Sequence, residues 1–215
     1  MEEKLVIDKL LSLYYGLGWK SIFARIRLKD APYKQTESLM PKKGIIVELG
    51  CGEGLFSNYM ALSSGKRKII GIEIDKDRFK QANRKISNTE FLLGDATKTN
   101  IPQCDVIVMM HLLHHLRSFE DQERLIRNFR KKLKKNGKMV IIEVEPKLSW
   151  KYFLAWSADH FLVPWLFEKR IYSKIYFRKR KEWERLLEKA GFEVKTHPAD
   201  KNMPFSHIIF ECFNT

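Results

Sequence analysis

Hydrophobic positions along the chain follow two rhythms. From residue 4 to 28 they recur with helical spacing: Val6, Leu10, Leu13, Tyr14 and Leu17 fall at i, i+3/i+4 and i+7. Gly16 and Gly18 interrupt that run, and Trp19, Ile22, Phe23 and Ile26 resume an apolar face among Lys20, Arg25 and Arg27. Pro32 and Pro41 bracket one further short helix. At Gly44 the rhythm changes. GIIVELG is a continuous apolar run, the pattern of a strand buried on both faces. Residues 55–63 then read as helix, 68–74 (KIIGIEI) as strand, 76–85 as a charged helix, and 90–93 and 105–110 as strands. A basic helix is expected over 119–135, stopped by Asn136-Gly137, with a fifth strand over 138–144.

Strands alternating with helices predict an α/β fold, with a Rossmann-like, mainly parallel sheet and helices on both faces. After Pro146 the alternation stops. Residues 147–180 are rich in aromatics and cations and read as a helical insert. An amphipathic helix over 182–190, stopped by Gly191, leads to two last strands, FEVKTH and HIIFECF. No repeat or low-complexity linker divides the chain. The expectation is one domain over 1–215: a helical cap (1–43), a core (44–146), a helical lid (147–181), and a C-terminal helix with strands (182–215).

Composition narrows the picture. At 215 residues and 44% hydrophobic, the chain can bury a core. No apolar run reaches the roughly 18 residues a bilayer span needs. Acids at Glu2, Glu3 and Asp8 and the lack of a small-residue cleavage site argue against a signal peptide. Three widely spaced cysteines, Cys51, Cys104 and Cys212, fit a reducing cytoplasm better than a disulfide framework. Forty Lys and Arg against 26 acids give a formal net charge of +14. Such a surplus suits nucleic acid, an anionic membrane or an acidic substrate, or simply a well-solvated basic surface.

Candidate chemistry centres on VELGCGEG, residues 47–54. In a doubly wound sheet, ligands lie beyond the carboxyl ends of the strands. Gly50, Gly52 and Gly54 follow the first strand, and glycine permits both positive φ and close approach of a ligand. The dinucleotide pattern would need glycine at 55, where Leu55 stands, and no Gly-Lys-Ser/Thr follows. Glu73 ends the second strand, where a carboxylate can accept two ribose hydroxyls. Asp95 follows the third, where an acceptor can meet an adenine amine. Either acid alone reads as a helix N-cap. Together with the glycine turn, at consecutive strand ends, they point to a nucleoside ligand.

These motifs, VELGCGEG, GIEID, GDA and DVIVMMHLLHHL, with the approach to the fifth strand, resemble the class I S-adenosylmethionine-dependent methyltransferases. The resemblance covers 44–146 well and 182–213 in rhythm. It implies a seven-stranded sheet with its last strand antiparallel, and S-adenosylmethionine as cofactor. It also implies roles by position. Gly50, Cys51, Gly52 and Gly54 would pass the methionine portion, and Glu48 would hold its amino end. Glu73, with Ile74 beside it, would take the ribose, and Asp95 and Ala96 the adenine. His111 would meet the methionine portion and the substrate.

His111, His114 and His115 lie close together, and on a helix 111 shares a face with 114 and 115. His111 and His115 are the candidate general bases, since imidazole titrates near neutrality. The alternatives are a metal site, for which no fourth ligand is evident, and plain packing under the cofactor. Asp159-His160, Glu143 and Glu145 are further candidates. For the methyl acceptor, the aromatics and aliphatics of 147–180 suit a small apolar, lipid-like or aromatic metabolite. Peripheral contact with an anionic membrane fits the same segment. Methylation of RNA or another nucleic acid is the alternative raised by the charge. Met109-Met110-His111-Leu112 stands where many nucleic-acid N-methyltransferases carry an Asn/Asp-Pro-Pro-aromatic run. A non-catalytic cofactor-binding module is the third reading.

Overall fold

The computed structural model describes residues 2–16, 18–144, 176–199 and 206–214. The insert expected over 147–180 lies almost wholly outside them, as do Glu145, Asp159 and His160. Three helices open the chain: α1 (Glu2–Leu13), α2 (Trp19–Asp30) and α3 (Tyr33–Ser38). The alternating core follows as β1 (Gly44–Leu49), α4 (Leu55–Ser63), β2 (Arg67–Glu73), α5 (Lys76–Ala82), β3 (Thr89–Leu93), β4 (Cys104–Met110), α6 (Phe119–Arg130) and β5 (Leu133–Val144). Helix α7 (Arg180–Lys189) and strands β6 (Phe192–Pro198) and β7 (His207–Asn214) complete it.

The seven strands form one sheet in the order β3-β2-β1-β4-β5-β7-β6. Strands β1 to β5 pair in parallel, and β7 runs antiparallel between β5 and β6. The order reverses between β1 and β4, so the crevice at their carboxyl ends is the switch point where such sheets bind ligands.

The continuous apolar runs are explained by two buried faces. Alternate residues of one strand enter opposite cores. Val47, Leu49, Ile70 and Ile72 pack with Leu125, Ile126 and Phe129 of α6 and Trp183 and Leu187 of α7. Ile46, Ile69, Val106 and Val108 pack with Leu10, Tyr14, Tyr33, Phe56 and Met60 from the helices at the other face. Arg67 is buried there beside them. Its guanidinium donates to Pro41 O (2.7 Å) and Met60 O (3.0 Å) and pairs with Glu37 (2.8 Å), tying α3 to β2.

Three local expectations change. The basic helix ends at Arg130 rather than Lys135, because Leu133 is drawn into the sheet opposite Cys104. Asn136, at φ 64°, then turns the chain within a longer β5. Residues 111–116 form no helix: His111 has φ 54°, and only Leu113–His115 makes a 3₁₀ turn. On α2, two residues of the expected apolar face turn outward. Ile22 and Ile26 are 48% and 54% exposed, while Ala24 is buried. The buried side of α2 is the one that carries Arg27 toward the strand ends.

Candidate active site

The turn from β1 to α4 is built on left-handed backbone. Gly50, Gly52 and Gly54 have φ of 71°, 55° and 73°. The N–H groups of Gly50 and Cys51 both donate to Ile72 O, at 2.8 and 3.0 Å, which ties the turn to β2. A Cβ on Gly54 would lie 2.8 Å from Ala82 O, so its absence lets the turn rest on the end of α5. That is the close-packing role the dinucleotide pattern gives to a glycine one place later. Cys51 points inward against Gly71, and burial pushes its thiol well above the usual range, so it is no nucleophile. The cap grips the turn from outside, where the Tyr14 hydroxyl donates to Glu53 O (2.8 Å), and Arg78 of α5 pairs with the Glu53 carboxylate (3.2 Å).

Glu48 lies buried at the foot of this turn, taking a 2.5 Å hydrogen bond from the Ser57 hydroxyl. Burial pushes its pKa up to about 8; the Ser57 bond and Arg27 oppose the rise, and nearby Glu73 adds to it. Glu73 has its carboxylate fixed at both oxygens. Gly52 N–H donates to Oε2 and Asp75 N–H to Oε1, each at 2.8 Å. Each oxygen keeps a further lone pair. Asp95 Oδ1 accepts from the Thr97 N–H (2.8 Å) and hydroxyl (2.7 Å). Partial burial would raise its pKa, but those two bonds outweigh it and hold the carboxyl below its ordinary range. Leu93 pairs with Glu73 across β2 and β3, and Ile74 and Leu93 stand 53% and 45% exposed beside the two acids. Ala96 is buried.

The histidines gather at the ends of β4, β5 and β7. His111 closes β4, its N–H bonded to Ile142 O (2.9 Å). Its Nδ1 lies 3.1 Å from Arg27 Nη2, and its ring stacks on His207 at 4.9 Å. Burial, and then the Arg27 charge, hold its pKa well below the usual histidine value. His114 is buried, with Nδ1 2.5 Å from Glu143 Oε2, while Glu143 Oε1 accepts the Leu113 N–H (3.0 Å). The His115 ring lies 4.1 Å from that of His114, and Phe177 stacks on His114 from the other direction at 4.9 Å. Among the described residues, no group of His, Cys, Asp and Glu is arranged to hold a metal ion.

Glu48, the glycines, Glu73, Asp95 and the histidines thus lie along one edge of the sheet. Glu143 is a buried partner of His114 rather than a solvated strand end. Sequence reasoning missed Arg27 and His207. The signal for His207 is a polar residue opening an otherwise apolar strand. Arg27 sits on the wrong side of its helix for the hydrophobic pattern to reveal it.

A family model described as a methyltransferase domain matches residues 23–197. A demethylmenaquinone methyltransferase of Thermotoga maritima is 23% identical over 162 residues, covering 75% of this chain and 65% of the relative's length, just under two thirds of it. Among solved structures, an S-adenosylmethionine-dependent methyltransferase of the same organism superimposes with a TM-score of 0.66 at 21% identity, over 90% of this chain and 92% of the other. One from Aquifex aeolicus gives 0.66 at 17% identity, over 97% and 98%. At those identities the structures speak for the fold. With the sheet order, the glycine turn and the family match over most of its length, the chain belongs to the methyltransferase domain family, among the class I S-adenosylmethionine-dependent enzymes.

Proposed function

We propose that this chain transfers a methyl group from S-adenosylmethionine to a small apolar, lipid-like or aromatic acceptor. The observation that carries the cofactor half is Glu73, whose two oxygens are aimed by the backbone of the glycine turn and of its own strand end. The residues present fit the cofactor. The glycines of the left-handed turn present backbone without a Cβ to the methionine portion, and the buried carboxyl of Glu48 suits an ammonium group, which would restore its ionised form. Glu73 offers lone pairs to the ribose hydroxyls. Ile74 and Leu93 offer apolar walls to the adenine, with Asp95 and Ala96 at its edge. When bound, the cofactor supplies a methyl on a sulfonium, a good leaving group.

The protein's own contribution is then alignment and proton removal. Glu143 holds the His114 Nδ1 proton and so leaves the lone pair on Nε2, which makes His114 the candidate base. His114 Nε2 would take the proton from the acceptor atom, and the cofactor, when bound, would supply the methyl. The name of the Thermotoga relative, a demethylmenaquinone methyltransferase, supports an apolar aromatic acceptor. So do the aromatics of 147–180 in the sequence. No described helix is long and apolar enough to cross a membrane. Peripheral contact is supported by the outward face of α2, where Ile22 and Ile26 alternate with exposed Arg25 and Lys29.

Titration calorimetry tests the reading. S-adenosylmethionine and S-adenosylhomocysteine are expected to bind and NAD to fail, with Glu73→Ala weakening both by about 1–3 kcal/mol. No binding of either, or equal binding to folded Glu73→Ala, would overturn the assignment.

A further inference from the structure

Arg27 faces His111 in a way that fixes the chemistry of the imidazole. A guanidinium carries N–H donors only and does not lose its proton in proteins. The 3.1 Å contact between Arg27 Nη2 and His111 Nδ1 is therefore a bond donated by Arg27. Nδ1 must present its lone pair, and the single proton of the neutral ring must sit on Nε2. That Nε2 is buried and meets no acceptor among the described residues. A buried N–H without a partner is costly to keep, and such groups are rare unless a ligand completes them. His114 has the opposite arrangement, because its Nδ1–H donates to Glu143. The two histidines at the end of β4 are thus held in opposite tautomers by opposite charges.

We infer that His111 is a hydrogen-bond donor to an oxygen of the methyl acceptor, with Arg27 the positioning residue that fixes its tautomer. The inference rests on the proposed methyl transfer and narrows it. Methylating an amine builds positive charge on nitrogen, which Arg27 behind the imidazole opposes. A phenol or enol must first lose its proton, and the negative charge this leaves on oxygen is one that an N–H backed by a guanidinium stabilises, which favours proton loss to His114. The acceptor class is accordingly a phenol or enol. His111 is then excluded as general base, since its only lone pair is taken by Arg27. Apart from Arg27, the titratable groups facing the ring are His207, stacked on it, and His114 and His115.

The tautomer is measurable without any ligand. In protein labelled with ¹⁵N-histidine, long-range proton–nitrogen spectra are expected to show His111 protonated at Nε2 only, unchanged from about pH 5 to about pH 8. Arg27→Lys should preserve that signal, and Arg27→Met should release it to a mixture that titrates. A merely structural arginine would leave the tautomer unmoved in both variants. Protonation at Nδ1, or ordinary titration of His111 in the unaltered protein, overturns the inference even if Arg27→Met fails to fold. For the acceptor class, 4-nitrophenolate and 4-nitroaniline serve as matched oxygen and nitrogen probes in the presence of S-adenosylhomocysteine. The phenolate should bind roughly tenfold or more tightly, the scale of one charge-assisted bond, and shift the His111 Nε2–H resonance. His111→Asn keeps a donor and suits the left-handed backbone, so it should retain part of that preference, and His111→Asp should lose it. Equal binding of the two probes overturns the oxygen assignment. Failure of the cofactor reading would show separately, in the calorimetry.

Discussion

Replacing Glu48 with Gln removes a carboxyl that the fold keeps protonated. Its pKa rises from 4.5 in the unfolded chain to about 8 in the folded protein, chiefly through burial. Between those values the native state binds a proton that the unfolded state has released. Stability therefore falls as pH rises through that window, and the full native advantage is present only below about pH 4.5. Integrated to pH 7, the loss is about 3 kcal/mol, or roughly 6–12 °C in Tm for a chain of this size. Gln keeps an acceptor for the Ser57 hydroxyl and cannot ionise. Tm measured without cofactor should fall from pH 5 to 8 more steeply in the wild type than in Glu48→Gln. The slope is the decisive quantity, because the added amide carries its own constant cost. Parallel curves would show that Glu48 ionises normally and would refute the burial argument. S-adenosylmethionine should reverse the effect in the wild type. Its ammonium would ionise Glu48, so binding near pH 6.5 should release a proton, detectable as a dependence of calorimetric enthalpy on buffer. That release should vanish in Glu48→Gln.

Three further predictions follow from the same structure. Gly54→Ala forces a Cβ against the Ala82 backbone at a left-handed φ and should cost about 2 kcal/mol or more in denaturant melts, whereas Gly65→Ala, with open space around it, should be within about 0.5 kcal/mol of wild type. Arg67→Met strands two buried carbonyls and the Glu37 carboxylate and should cost about 3–5 kcal/mol by the same assay. His114→Gln and Glu143→Gln should each lower kcat about 10²–10⁴-fold with a phenolic acceptor while KM moves little, and the double variant should be no worse than either alone.

The sheet was legible because β1, β2, β4 and β5 are buried on both faces and leave uninterrupted apolar runs, and because the glycines mark where β1 ends. The positions of Glu48, Glu73 and Asp95 follow from those strand ends alone. What stayed hidden depends on tertiary pairing. Lys131 to Lys135 are good helix formers, and only the pairing of Leu133 with Cys104 converts their run into strand. Likewise, the spacing of His111, His114 and His115 suggests one helical face. The structure instead separates them by a left-handed residue and a 3₁₀ turn, so that His111 turns to Arg27 and His114 to Glu143. Roles that spacing left interchangeable are set apart by partners 84 and 29 residues away.

That separation carries a consequence for how such a chain acquires specificity. Glu48, Glu73, Asp95 and the His114–Glu143 pair are all held by the sheet and its immediate turns. Arg27 comes from the N-terminal helices, yet its charge bears on both Glu48 and His111. The helical cap therefore does more than cover the cleft, since one of its side chains decides which nitrogen of His111 carries the proton. A change in the packing of α2, whose outer face leaves Ile22 and Ile26 exposed, would alter that proton's position and the ionisation of Glu48 together. Substitutions on one helix can thus retune which acceptor atom is favoured, and they act on Glu48 at the same time.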